Sequence, residues 1–327
     1  MAGCGTGALS RARVPSHILW QLPVPSPSTA CQRFALSAAA RTSSPTGTMS
    51  RGNVLVLLAH NDDEYFVSAA ITRERAATNE VHVLYTTHGS AYGVPTGVRE
   101  AESTAALTRL GVSPTHIRHI GRECGIRDGT ALENLLQLSN ACRDAFPGVA
   151  FSGLLTVAWE GGHPDHDATY LIAAELAREW HLEQDLYEFP VYTQVGAPPP
   201  LFRTMRLIPG RPGATTIRLP LSQRVKLFFL FRFYPSQWRS FAGLLPESGW
   251  RILVRGTQPL RHVTLEAEPS RPHPGRLYYE RRFGVTFETL MAAFKAFKAL
   301  GQQHSVEERP VSTGAHALTV EDKTVVA

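Results

Sequence analysis

The chain is 327 residues long and carries 33 Lys and Arg against 28 Asp and Glu, a formal net charge of +5. Such an excess suggests an anionic partner such as nucleic acid, but its distribution removes the reason. No acidic residue precedes Asp62, and four arginines (Arg11, Arg13, Arg33, Arg41) fall within residues 1–48, leaving a balance of +1 from Met49 onward. A near-neutral body without a basic stripe speaks against nucleic-acid binding. The four cysteines (Cys4, Cys31, Cys124, Cys142) have no CxxC spacing and are too sparse for a disulfide scaffold.

Residues 1–48 are rich in Ala, Ser, Thr and Pro and have no helical or strand period. Pro15, Pro23, Pro25 and Pro27 interrupt the uncharged stretch from Val14 to Gln32, so it does not read as a spanning helix. The segment reads as a presequence, a poor secretory signal or, as the favoured reading, the result of a start placed too early, because Met49 leads directly into an apolar strand. The expected organisation is a leader over 1–48, one domain over 49–301 and a polar, aperiodic tail over 302–327.

From Asn53 to Leu58 a continuous apolar run predicts a strand buried on both faces. A helix is expected from Tyr65 to Ala77, a second strand from Val81 to Tyr85, and a helix from Gly97 to Leu110, stopped by Gly111. Ile117 to Ile120 reads as a third strand and Thr130 to Phe146 as a helix. Gly153 to Ala158 reads as a fourth strand, Asp167 to His181 as a helix, and Tyr187 to Tyr192 as a fifth strand. This alternation predicts an α/β, Rossmann-like three-layer fold around a mostly parallel sheet. The second half is less regular: a strand from Thr215 to Leu219, a helix from Ser222 to Tyr234, and a closing amphipathic helix from Phe283 to Leu300. The run Leu227 to Phe231 is too short to span a bilayer. It reads as a buried helix face, with an interfacial membrane segment as the weaker alternative.

Two motifs carry the chemistry. Ala59-His-Asn-Asp-Asp-Glu64 follows the first strand, and Glu160-Gly-Gly-His-Pro-Asp-His166 follows the fourth. Ligands of open α/β sheets bind beyond the carboxyl ends of strands, so the topology can bring these motifs together. His60 and Asp63 are spaced i, i+3 at a helix start, as are His163 and His166. Two ligands from one strand end and one from the other would make an open three-ligand metal site. Asp62 is then free to act as base, and whichever of His163 and His166 is not a ligand can act as acid or polariser. Alone, the first motif could be an N-cap with favourable dipole charges, and the second a capped turn. Their pairing at equivalent strand ends favours the metal.

The pair resembles the PIG-L/LmbE-like de-N-acetylases, which include deacetylases of N-acetylglucosaminyl-phosphatidylinositol and of the mycothiol and bacillithiol pathways. Weaker similarity covers Arg99-Glu-Ala-Glu102, Leu110-Gly-Val112, and Lys226 followed by Tyr234-Pro-Ser-Gln237. The resemblance implies zinc-dependent hydrolysis of an N-acyl group, usually acetyl on a glucosamine. By the same resemblance His60, Asp63 and His166 would hold the metal and Asp62 would be the general base. His163 would stabilise the oxyanion or protonate the amine with Asp165 as its orienting neighbour, and Arg99 would contact substrate hydroxyls or a phosphate. The family usually has proline where Asn61 stands. The partner expected is a small glycoconjugate or N-acyl amine, in a cytoplasmic protein without nucleic acid or a spanning segment, with oligomerisation open. Two further readings are an amidase for a non-sugar N-acyl substrate and a non-catalytic Rossmann-like binding module. No GxGxxG follows the first strand to support the latter.

Overall fold

The computed structural model describes Met49 and residues 51–90, 93–198 and 201–307. The expected leader, and the expected tail beyond Glu307, lie outside the described residues. The first strand is β1 (Asn53–Leu58), followed by α1 (Glu64–Ala76), β2 (Glu80–Tyr85), α2 (Thr96–Arg109), β3 (Ile117–Arg118) and the short α3 (Ile120–Glu123). Next come α4 (Leu135–Asp144), β4 (Phe151–Val157), α5 (Pro164–Glu179), β5 (Leu186–Phe189), β6 (Tyr192–Thr193) and β7 (Arg203–Thr204). The remaining elements are β8 (Ala214–Arg218), α6 (Leu221–Phe228), α7 (Trp238–Trp250), β9 (Thr257–His262), α8 (Tyr278–Arg282) and α9 (Phe287–Glu307).

Seven strands form one sheet in the order β3-β2-β1-β4-β5-β9-β8. The first five are parallel; β9 runs antiparallel to β5, and β8 antiparallel to β9. The sheet is therefore mostly parallel, as expected, with an antiparallel edge contributed by the second half. The apolar strands explain the layering through their period of two. Val54, Val56 and Leu58 pack with α1 and α2 in one core, while Leu55 and Leu57 pack with α4, α5 and α9 in the other. Helices cover both faces, giving three layers.

From β1 the chain proceeds to β2 on one side, whereas β4 lies on the other, so β1 and β4 flank the topological switch point. The crevice beyond their carboxyl ends is where such sheets bind ligands. The two motifs leave these adjacent strands, with Leu57 opposite Thr156 in the last pair of the ladder.

Several boundaries differ from expectation. The helix expected from Thr130 begins as a 3₁₀ turn and becomes α-helical only at Leu135. The one expected from Ser222 to Tyr234 is α6 followed by a 3₁₀ turn over Phe229–Phe233. The closing helix begins at Phe287 and continues to Glu307. Both described cysteines, Cys124 and Cys142, are free. No described helix is long and apolar enough to cross a membrane.

Candidate metal centre and its cavity

The loop after β1 places His60, Asp62 and Asp63 within four residues by adopting an unfavourable backbone. Asp62 has φ +118°, a region that side chains with a Cβ rarely occupy. Two contacts hold it there. Its N–H donates to Glu64 Oε2 at 3.0 Å, and Arg99 Nη2 donates to the Asn61 carbonyl at 2.6 Å. At β4 the chain passes through Gly161 and Gly162 into α5. A Cβ on Gly162 would stand 2.5 Å from the Tyr192 carbonyl oxygen, so only glycine fits this approach. His163 then caps α5: its Nδ1 accepts the Asp165 N–H at 3.2 Å, and Pro164 takes the first helical position, where no N–H is needed.

These loops bring His60, Asp63 and His166 together, with one potential ligand atom from each lying within 4.8 Å of the others. His60 Nδ1 stands 3.2 Å from His166 Nε2, and Asp63 Oδ1 stands 3.4 Å from the same nitrogen. Asp63 Oδ2 accepts the His60 N–H at 2.8 Å, which fixes the carboxylate. His166 and Asp63 are buried, and the His60 side chain is 12% exposed. Burial alone would raise the Asp63 carboxyl, but His166 and His60 outweigh it and hold the group below the usual carboxylate range.

His60 Nε2 donates to Asp165 Oδ2 at 3.0 Å. That bond leaves Nδ1 as the lone-pair nitrogen facing His166 and Asp63. Asp165 is fully buried and also accepts the N–H groups of Gly129 and Ala131. The sequence pairs Asp165 with His163, yet the shorter side-chain contact is to His60; His163 Nδ1 lies 3.6 Å from Asp165 Oδ2. A second grouping, His60, His163 and Asp165, also meets the distance requirement. It fits a cation less well, because the Asp165 oxygens already accept three donors. For the first grouping the fit is good: two imidazole nitrogens and one carboxylate, with His60 and Asp63 oriented by hydrogen bonds, are the donor set of an open zinc site.

Asp62 and His163 flank this group. The Asp62 carboxyl is pushed up to about 8 by burial, with the Arg99 guanidinium 3.7 Å away opposing the shift and Asp63 adding to it. Burial and the neighbouring His60 press His163 down to about 3, so it is neutral. Burial also works against the charged form of His60, but the Asp165 hydrogen bond and the surrounding carboxylates raise it to about 9, so a metal ion bound at Nδ1 would displace a proton there. Arg99 is only 3% exposed and is no surface arginine. Besides Asn61 it binds Asp128 Oδ2 at 3.2 Å, while Asp128 Oδ1 accepts the Gly89 N–H at 2.9 Å. Asn61 is buried, with Nδ2 3.4 Å from His119 Nδ1.

All six of His60, Asp62, Asp63, Arg99, His163 and His166 line one cavity of about 140 Å³, whereas Asp165 lies behind it. The cavity adjoins a wider vestibule of about 500 Å³ walled by Phe202, Arg239, Tyr278 and Phe283. Sequence reasoning gave no individual site role to Asp128, Tyr192, Gln237, Ser240 or Leu244, which also line the inner cavity; Gln237 was quoted only within the Tyr234-Pro-Ser-Gln237 similarity. It also missed the part played by Glu160, whose Oε1 accepts the Val191 and Tyr192 N–H groups at 3.0 and 2.9 Å and so fixes one wall. Glu160 belonged to the quoted motif, and its burial behind a strand end was the one available signal. His88 is not part of the lining, consistent with an ordinary loop histidine.

Comparison with known proteins gives the following. Residues 55–177 match the PIG-L family model, described as GlcNAc-PI de-N-acetylase. No curated protein matches the chain. Among solved structures, a deacetylase of the teicoplanin biosynthesis pathway is similar at 17% identity and TM-score 0.52, covering 66% of this chain and all of that one. The zinc-inhibited form of a teicoplanin deacetylase is similar at 16% identity and TM-score 0.52, and an A40926 pseudoaglycone deacetylase at 20% and 0.50; each covers 66% of this chain and 100% of the other. At these identities the structures support the α/β fold alone. The family match spans both strand-end motifs together with Arg99 and Asp128, and residues 55–177 are a PIG-L domain.

Proposed function

We propose that the chain is a zinc-dependent N-deacetylase that acts on an N-acetylglucosamine-type conjugate and releases acetate and a free amine. The observation that carries this reading is the convergence of His60, Asp63 and His166 in one cavity, with Asp62 and His163 on either side. The PIG-L match supports amide hydrolysis as the reaction class.

His60 through Nδ1, Asp63 through its carboxylate and His166 through Nε2 would hold the metal. When bound, zinc supplies a Lewis acid for the acyl oxygen and acidifies water. The chain's own groups do the rest. Asp62, whose carboxylate form the charge of a bound cation would favour over the acid form that burial favours, accepts a proton from the attacking water and passes it to the departing nitrogen. Its position beside Arg99 keeps the carboxylate aimed into the cavity. His163 keeps Nδ1 occupied by the Asp165 N–H, so its remaining N–H lies at Nε2 and donates to the oxygen on which charge develops. Asp165 orients His60 and links it to the Gly129–Ala131 loop. Arg99 is mainly a positioning residue, since its guanidinium already serves Asn61 and Asp128.

The test combines elemental analysis after dialysis with an amine-release screen over N-acetylglucosamine conjugates and non-sugar N-acyl amines. About one zinc per chain is expected, with acetate released from a sugar conjugate. Asp62→Asn should keep the metal and lose turnover by about 10²–10⁴-fold. Preferred cleavage of a non-sugar amide would reassign the substrate. Absence of both stoichiometric metal and amine release would overturn the reading.

A further inference from the structure

The near-neutral balance of the body conceals a polarised segment. Residues 214–256 contain seven basic residues and one acidic residue, Glu247. That local charge of +6 exceeds the +5 of the whole chain. Glu247 is already engaged by Arg206 and by the Thr204 N–H. Arg218, Lys226, Arg232, Arg239 and Arg255 are exposed.

The same segment exposes large apolar side chains. Leu221, Val225 and Phe229 recur every four residues along one face of α6 and the turn after it, and are 69%, 42% and 46% exposed. Trp238, Trp250 and Val254 are 63%, 55% and 47% exposed. Trp238, Ala242, Leu245 and Gly249 follow the i, i+4, i+7, i+11 spacing of a single face of α7. Between that face and the Phe228 ring runs an apolar groove of about 440 Å³, which Trp250 and Val254 also line. A Cβ on Gly249 would come within 2.8 Å of Phe228, so glycine lets the helices close to this distance. The Phe228 and Phe229 rings touch at 5.1 Å, joining the groove to a second depression lined by Val225, Lys226 and Arg232.

We propose that this face, formed by α6, the turn after it and α7, docks on an anionic lipid bilayer. Charge complementarity selects the occupant. Lys226 and Arg232 stand beside Val225 and Phe229, and Arg239 lies over Trp238, so basic side chains accompany exposed apolar ones that include two tryptophans, the composition of a surface that lies in the headgroup region with its apolar side chains below. The exposed aliphatic residues Leu221, Val225 and Val254 offer nothing to a nucleic acid. The opposite side of α7 supplies Ser240 and Leu244, and the turn before it Gln237, to the candidate site cavity. A substrate displayed at a bilayer could therefore reach the site along this helix; that consequence rests on the proposed deacetylase reading, whereas docking itself does not.

The test is flotation of the full chain with vesicles of phosphatidylglycerol and phosphatidylcholine, compared with phosphatidylcholine alone. Binding to the anionic vesicles is expected, with a blue shift of tryptophan emission, and with weakening near 1 M salt, where the Debye length is about 3 Å. Trp238→Ser/Trp250→Ser and Lys226→Gln/Arg232→Gln should each weaken binding about 10-fold or more while circular dichroism stays unchanged. Failure to bind anionic vesicles, or binding by both variants as tight as that of the parent chain, would overturn the proposal. So would vesicle binding that appears only once residues 1–48 are removed, or dissociation of a dimer by the same substitutions. Amine release is not a readout here, so failure of docking leaves the deacetylase reading intact, and failure of deacetylation leaves docking intact.

Discussion

Replacing Asp62 in parallel by glycine and by alanine separates the backbone strain at this position from its chemistry. Both substitutions remove the carboxylate, its repulsion with Asp63 and its attraction to Arg99, so the difference between them reports the backbone alone. A residue with a Cβ held at φ +118° costs about 1–3 kcal/mol. Glycine escapes that cost but loses about 0.4–1 kcal/mol through the greater freedom of its unfolded chain. The glycine variant should therefore be the more stable by about 1 kcal/mol, reversing the usual preference for alanine. Urea unfolding of both variants in chelator, followed by tryptophan emission, measures this without metal. With m near 1–3 kcal/mol/M, the glycine midpoint should lie roughly 0.3–1 M higher.

Both variants should be equally inactive in amine release. Together the two results would mean that the fold spends stability to hold a base where an unstrained residue cannot reach. Equal midpoints, or a higher midpoint for alanine, would refute the claim that strain is stored at Asp62.

Three further outcomes follow from the structure. Asp165→Asn replaces an acceptor-only group by one that points its N–H groups either at both His60 and Gly129 or at Ala131, and zinc affinity should fall about 10–100-fold in competition with a chromophoric chelator; unchanged affinity would mean that the His60 hydrogen bond does not tune the site. Arg261 on β9 stands 2.8 Å from Glu188 on β5, with both side chains buried, so Arg261→Met should cost about 3–5 kcal/mol in denaturant unfolding by stranding the carboxylate, and adding Glu188→Gln should recover a large part. His82 is held down to about 4 by burial first and then by the adjacent His116, below its ordinary 6.5. Its unfolded form therefore binds the proton more tightly, and the stability it contributes is complete above pH 6.5 and lost as pH falls toward 4. His82→Phe should flatten that part of the stability–pH curve, and an unchanged slope would exclude His82 as its source.

How much of this molecule the sequence discloses depends on the range of each interaction. Asn53 to Leu58 is buried on both faces, so its apolar run marks the strand without knowledge of its neighbours, and β1 ends where the pattern predicts. The six candidate site residues named from the two strand-end motifs could be placed together because each motif is short and leaves a strand end, whereas Arg99 was named only from a weaker similarity. Tyr192, Gln237, Ser240 and Leu244 could not, because they reach the cavity from β6 and from α7 with the turn before it, far along the chain from either motif. Nor was α7 assigned from the sequence: it contains Gly243, Pro246 and Gly249, all poor helix formers, yet Pro246 lies inside the helix and a Cβ on Gly249 would crowd the Phe228 ring. The strand β9 was hidden similarly by Pro259, although it pairs on both sides of its length.

Charge illustrates the same division. A net value of +1 for the body was correct as arithmetic but carried no spatial content, because seven basic residues within 214–256 are offset by acids elsewhere in the chain. Several of those acids are not available to solvent: Asp63, Asp165, Glu160 and Glu188 are buried and committed to imidazoles, backbone N–H groups or Arg261. They neutralise the total without neutralising the surface formed by α6 and α7. Net charge therefore argued against an anionic partner only on the assumption that acids and bases share one surface, and the burial of acids around the candidate metal site and between the strands removes that assumption for this face of the protein.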